Sequence, residues 1–269
     1  MIAANAILET QLHSSARLDN VEVAKLLLSR DDVDANARDC NKRTPLHIAA
    51  HANSIDVATV LLSRNDVDAG ACNKYEQTPL HFAASEDSVD VAKLLLLRDD
   101  VDANARDCNK RTPLHIAALA NSVEVATVLL SRNDVDAGAC NKYEETPLHF
   151  AALVDSVEVA KLLLLRDDVD ANARDIDQLT PLHIAVRENS VKVAKLLLSR
   201  NDVDADARCK YEKTPLHMAA VNDSVEVAKL LLLRDDVDAN ARDCYQQTPL
   251  DVAVACEHFN VMTLLSELQ

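Results

Sequence analysis

The chain has 269 residues with two Gly, seven Pro and no Trp, and its 28 Lys plus Arg against 44 Asp plus Glu give a formal charge of -16. A surface of that sign repels phosphate backbones and anionic headgroups, which argues against nucleic acid and membrane surfaces and favours a protein partner with a basic surface. No apolar run reaches the roughly 18 residues of a spanning helix, "MIAANAILETQ" lacks the layout of a signal peptide, and seven Cys without a CxxC pair indicate free thiols. The expected location is therefore cytoplasmic, with a secreted effector as the alternative.

In chain order, "TQLH" at Thr10 is followed by "TPLH" at Thr44, Thr78, Thr112, Thr146, Thr180 and Thr214, and by "TPLD" at Thr248, always 34 residues apart. Each unit predicts the same elements. Thr44 caps a short helix that opens with Pro45, whose missing amide hydrogen costs nothing in the first turn. Asn53 ends that helix in the left-handed conformation, and Ser54 caps the next one. The second helix, "IDVATVLLSR", is apolar on more than one face, which suits packing between neighbours. An Asp-rich projecting turn follows. Within it, one position reads Asn36, Gly70, Asn104, Gly138, Asn172, Asp206 and Asn240, residues that tolerate positive φ or make local side-chain turns, so a turn that the backbone requires is expected.

A unit of this kind cannot bury its own apolar face and must stack on its neighbours. The first and last units are atypical: Gln11 replaces Pro, and Asp251 replaces His. Both are expected to act as caps on a single domain, residues 1–269, complete at each end. The "TPLHxAA" helix start, the "VAKLLL" second helix and the "DVDANARD" turn together resemble the ankyrin repeat over roughly residues 10 to 269. The resemblance implies an all-α solenoid of stacked helix-turn-helix units with projecting fingers, a protein-binding scaffold rather than an enzyme. Two features depart from the family. The unit is 34 residues instead of 33, and the usual glycines before "TPLH" and between the helices are replaced by residues such as Lys42 and Glu76, and Asn53 and Asp87.

Seven histidines, from His13 to His217, share one repeat position. They stand on successive layers about 10 Å apart, too far for one metal ion, so a helix-start histidine bonded to its surrounding turns is the reading. His51 and His258 lie off this row without an evident partner. Six cysteines, Cys40, Cys72, Cys108, Cys140, Cys209 and Cys244, are spread over separate fingers, and no catalytic or metal-binding motif is present. No cofactor, metal or catalytic residue is expected.

Residues 44–111 and 112–179 differ at eleven of 68 positions. Three changes at the start of the second helix are conservative. The other eight fall in the turn before "TPLH" or just past "HIAA" and "HFAA", positions that by resemblance line the fingers and the concave face. Thr59, Ser63 and Arg64, on the opposite side, are unchanged in the copy. All four tyrosines, Tyr75, Tyr143, Tyr211 and Tyr245, occupy one finger position, and an aromatic ring with a polar tip suits an interface anchor. Packing on the neighbouring finger is the alternative. The expected contacts are these tyrosines with Leu119, Leu153, Val154, Ile176 and Leu179, flanked by Lys110 and Arg111. The chain is expected to bind as a monomer, against the alternatives of a self-assembling array or a small-ligand or catalytic site in the groove.

Overall fold

The structure is a computed structural model that describes residues 11–267. Thr10, the expected start of the first repeat, lies outside the described residues. Helices account for all the regular structure among the described residues, and no strand is present there. From the second repeat to the eighth, Pro opens each first helix behind an extended Thr.

The repeated histidine explains how that start is held. His47 Nδ1 accepts the Thr44 amide at 3.0 Å and lies 2.9 Å from the Thr44 hydroxyl. Nε2 then donates to the Gln77 carbonyl of the next repeat at 3.0 Å. His183 does the same with Thr180 and with the Lys213 carbonyl. In the eighth repeat Asp251 accepts both the Thr248 amide and hydroxyl at 2.9 Å. The position thus requires an acceptor, and a neutral imidazole adds a donor that stitches one repeat to the next.

The chain divides into two compact units, Met1–Asp136 and Ala137–Gln269. In the first, the helices Pro45–Ala52, Pro79–Ser85 and Pro113–Ala120 stack in sequence, as do Val21–Leu28, Ile55–Leu62, Val89–Leu96 and Val123–Leu130. In the second, Pro147–Leu153, Pro181–Arg187, Pro215–Asn222 and Pro249–Ala255 form one layer, and Val157–Leu163, Val191–Leu198, Val225–Leu232 and Phe259–Ser266 the other. The core is one leucine from each first helix except Pro249–Ala255 and at least one from every second helix, such as Leu80 and Leu95, or Leu182 and Leu197, set among fully buried alanines. Alanine at these places lets successive helices approach closely at no side-chain entropy cost.

Of the two readings of the shared turn position, the local side-chain turn holds and positive φ does not. None of the residues from Asn36 to Asn240 there has positive φ, and neither glycine does. Asp34 Oδ1 takes the Asn36 amide at 2.8 Å and settles the turn by itself. The asparagine is there to bridge repeats: Asn36 Nδ2 donates to the Asp66 carbonyl and Oδ1 accepts the Asp68 amide. Asn172 repeats this with Asp202 and Asp204. Left-handed backbone occurs instead at Lys42, Glu76, Lys110, Glu144, Gln178, Glu212 and Gln246, at roughly 1 kcal/mol each.

A correction concerns the serines. Asn53, Asp87, Asn121, Asp155, Asn189 and Asp223 are left-handed as expected, but Ser54 and its equivalents make no capping bond to the helix that follows. In alternate repeats, where an aspartate ends the first helix, the cap comes from the repeat before. Asp87 Oδ1 accepts the Val125 amide at 2.8 Å, and Asp155 Oδ1 the Val193 amide at 2.9 Å. An aspartate that closes one helix therefore also shields the next repeat's helix start, where a negative charge is favoured.

The junction after each of several second helices is held by an arginine fork. Arg64 grips Asp66 through Nε and Nη2 at 2.9 and 2.7 Å and sends Nη1 to the Leu28 carbonyl, at the end of the preceding second helix. Arg98, Arg200 and Arg234 repeat the pattern. Arg64 and Arg132 are thus structural side chains, and their constancy between the copies is no sign of a quiet surface.

Asp206 stands where other repeats have the bridging asparagine. It accepts the Asp238 amide at 2.7 Å, but its Oδ1 is buried without a partner. Burial raises its pKa, and Asp238, Asp204 and Asp236 add to that. Asp206→Asn is expected to stabilise the protein by about 1 kcal/mol at pH 7, since it removes a crowded charge and supplies the missing donor. The raised pKa is above the unfolded one, so the charged form is the destabilising one; urea unfolding should show the gain shrinking as acid protonates Asp206 in the parent chain.

Candidate functional site in the fingers and first-helix ends

Each finger is a short hairpin, held in most cases by the side chain of the Asn or Asp five positions before "TP" and in the Tyr211 finger by the Cys209 backbone. Asn141 Oδ1 accepts the Tyr143 and Glu145 amides, and Asp175 Oδ1 accepts those of Asp177 and Leu179. Neighbouring fingers are joined through their backbones. The Ile176 amide donates to the Tyr143 carbonyl at 3.0 Å, Lys210 to Asp177 at 2.9 Å, and Cys244 to Tyr211 at 3.2 Å. In the first unit Lys74 and Cys108 donate in the same way to Asn41 and Tyr75. The tips are therefore fixed in register.

On this frame the tyrosine rings stay open to solvent: Tyr75 is 51% exposed, Tyr143 48%, Tyr211 55% and Tyr245 69%. Lys74 and Lys142 stand 4.8 Å above the rings of Tyr75 and Tyr143, which leaves those rings steadied without burying them. Ile176 is 55% exposed beside Tyr143, and Val154 is exposed at the end of the helix Pro147–Leu153. Leu153 and Leu119 are half-buried, Leu119 in the first unit and the others in the second.

Two of the expected contact residues belong elsewhere. Leu179 is buried and offers no docking surface. Arg111 is committed to Asp107, whose side chain is only 1% exposed, through a 2.8 Å ion pair at the root of the finger. Lys110 alone of that pair is exposed.

His51 and His258, without evident partners in the sequence, have them in the structure. His258 Nδ1 lies 2.9 Å from the Ala220 carbonyl. His51 Nδ1 is 3.2 Å from Glu86, which also receives the Ser85 hydroxyl at 3.2 Å. These three residues are the ones whose copies read Leu119, Leu153 and Val154. The positions that change past "HIAA" and "HFAA" thus form, in the first copy, one bonded polar cluster. Sequence spacing gave no sign of it, because His51 and Glu86 lie on different repeats.

Among the described residues no group of His, Cys, Asp and Glu could hold a metal ion. All seven cysteines are free, and burial raises the Cys72 thiol above its usual range, which keeps it protonated. No helix among the described residues is long and apolar enough to cross a membrane.

Paired helices stacked in sequence, with fingers joined tip to tip, define a helical-repeat protein of the solenoid class. The family model for ankyrin repeats, in three-copy form, matches residues 3–70, 62–138, 129–208 and 201–269, and the chain belongs to that family. Ankyrin repeats are in general modules that bind other proteins, and the family is typically non-catalytic. No curated protein matches the chain.

Proposed function

We propose that the chain is a non-catalytic, intracellular scaffold that binds a protein with a basic surface as a monomer, through its finger tips and first-helix ends. The observation that carries this is the set of half-exposed tyrosines, with Ile176 beside Tyr143, on fingers locked together by backbone hydrogen bonds. Contact side chains held in advance lose little freedom on binding. An aromatic anchor on a chain of net charge -16 suits a partner whose apolar pocket is bordered by Lys or Arg.

The test is a pull-down with the parent chain and with a Tyr143→Ala, Ile176→Ala double variant. Both side chains are largely in solvent, so the fold should survive, as circular dichroism would check. The expected result is loss of a captured protein by roughly 30-fold or more in affinity, as for two central anchors. If every captured protein binds both forms equally, this surface is not the site.

A further inference from the structure

A second surface stands out on the other layer of the second unit. An open groove of about 400 Å³ runs between the second helices of repeats five and six, Val157–Leu163 and Val191–Leu198. Val157 and Leu196 line it, with Lys161, Lys192 and Lys195 around them. It continues into a hollow of about 360 Å³ beside Leu165, whose side chain is 81% exposed.

The charges here break the rule of the array. Four second helices pair a carboxylate in the first turn with a lysine three residues on: Glu22 with Lys25, Asp90 with Lys93, Glu158 with Lys161 and Glu226 with Lys229. In Val191–Leu198 the carboxylate is replaced by Lys192, so Lys195 faces a like charge. Lys192 also opposes the helix dipole in the first turn, where an anion would be stabilising. Arg200 next to the groove is already held by Asp202 and the Leu164 carbonyl. Neither Lys192 nor Lys195 has an ion-pair partner among the described residues, in a chain of net charge -16.

We propose that this groove docks an acidic segment of a partner protein, an apolar anchor side chain flanked by carboxylates. The apolar lining takes the anchor, and Lys192 and Lys195 meet the carboxylates that their own helix lacks. The site is separate from the finger surface and does not depend on it. An apolar segment without acids leaves two like charges unpaired at the rim, and a basic one is repelled, so the groove selects by charge as well as shape.

The probe is a fluorescein-labelled peptide of about a dozen residues with leucines set among glutamates, titrated in low salt beside a twin with lysine for every glutamate. The acidic peptide is expected to bind the parent chain, weaken with added salt, and shift amide resonances of residues 157–200. Lys192→Glu restores the pair of the sister helices, so it should raise the Tm while lowering peptide affinity about tenfold or more. Leu165→Ser, which installs the residue found at the equivalent Ser131 and Ser199, should weaken binding without unfolding. Absence of binding, equal affinity for the lysine twin, or indifference to both substitutions overturns the proposal. So does sedimentation showing that the parent chain dimerises through this face and Lys192→Glu does not, because the occupant is then a second copy.

Discussion

Lowering the pH from 7 to 4 is expected to destabilise the protein steeply, with the histidine row as the cause. Burial, the dominant effect, lowers the pKa of His47 and His183 from 6.5 to about 4, and shifts His81, His149 and His217 in the same direction. The geometry agrees. Nδ1 already accepts an amide hydrogen and Nε2 already donates to a carbonyl, so a second ring proton would point at a donor. In the unfolded chain the same rings protonate near 6.5. The unfolded state therefore takes up more protons below that value, and stability that is complete above pH 6.5 falls until the folded-state pKa is passed near 4. For His47 and His183 the loss approaches ~3 kcal/mol each, large against a typical total stability.

Urea unfolding at intervals between pH 7.5 and 4.5 checks this. His183→Asn keeps an acceptor for Thr180, as Asp251 does for Thr248, and should flatten the slope even though it gives up the bond to Lys213. An unchanged slope would exonerate the histidine. Carboxylates act lower down. Burial pushes the Asp39 and Asp107 carboxyls up, but the amides and arginines bonded to them bring both net below 3.8. Their contribution holds above that value and is lost only as the pH falls through their folded-state range, so the two effects separate on the pH axis.

The histidine row also shows how far a sequence of this kind can be read. Helix order, the proline starts and the left-handed helix ends follow from signals within one unit, and these the structure reproduces. What the sequence hid is almost all made between units. Asp87 reaches Val125, Arg64 reaches Leu28, Asn36 reaches Asp66, and His51 meets Glu86; each bond joins residues 30 to 38 positions apart. A single unit carries no trace of such a partner. The serine after each first helix suits a helix start as well as an aspartate does, and only the stacking shows that in alternate repeats the aspartate of the repeat before supplies the cap. The tyrosines were legible as a row, yet their half-exposure depends on how the hairpins fold. Leu179 and Arg111 were misplaced for the same reason, since the root of a finger and its tip are adjacent in sequence.

That distinction yields the second large effect. Asp107→Ala is expected to cost about 3 kcal/mol or more. Its carboxylate accepts the Asn109 and Arg111 amides at 2.8 and 2.9 Å and the Arg111 Nε at 2.9 Å, so truncation leaves a partly buried cation and two amides without acceptors. The other fingers show which changes are tolerated. Asn73 holds its hairpin through the same two amide bonds and pairs with Gln77; Asp175 keeps both bonds while Leu179 replaces the arginine and buries itself. Hence Arg111→Leu should cost only about 1 kcal/mol, and Asp107→Asn with Arg111→Gln close to nothing, as a copy of the Asn73 finger. Urea unfolding orders the three variants, and amide exchange at residues 107–111 should quicken in Asp107→Ala alone. If Arg111→Leu proves as damaging as Asp107→Ala, the ion pair and not the amide bonds holds the hairpin. The change from "DCNKR" to "DIDQL" then divides by position. Arg111 to Leu179 is an exchange at the buried root, while Cys108 to Ile176 and Lys110 to Gln178 alter the exposed surface that a partner would meet.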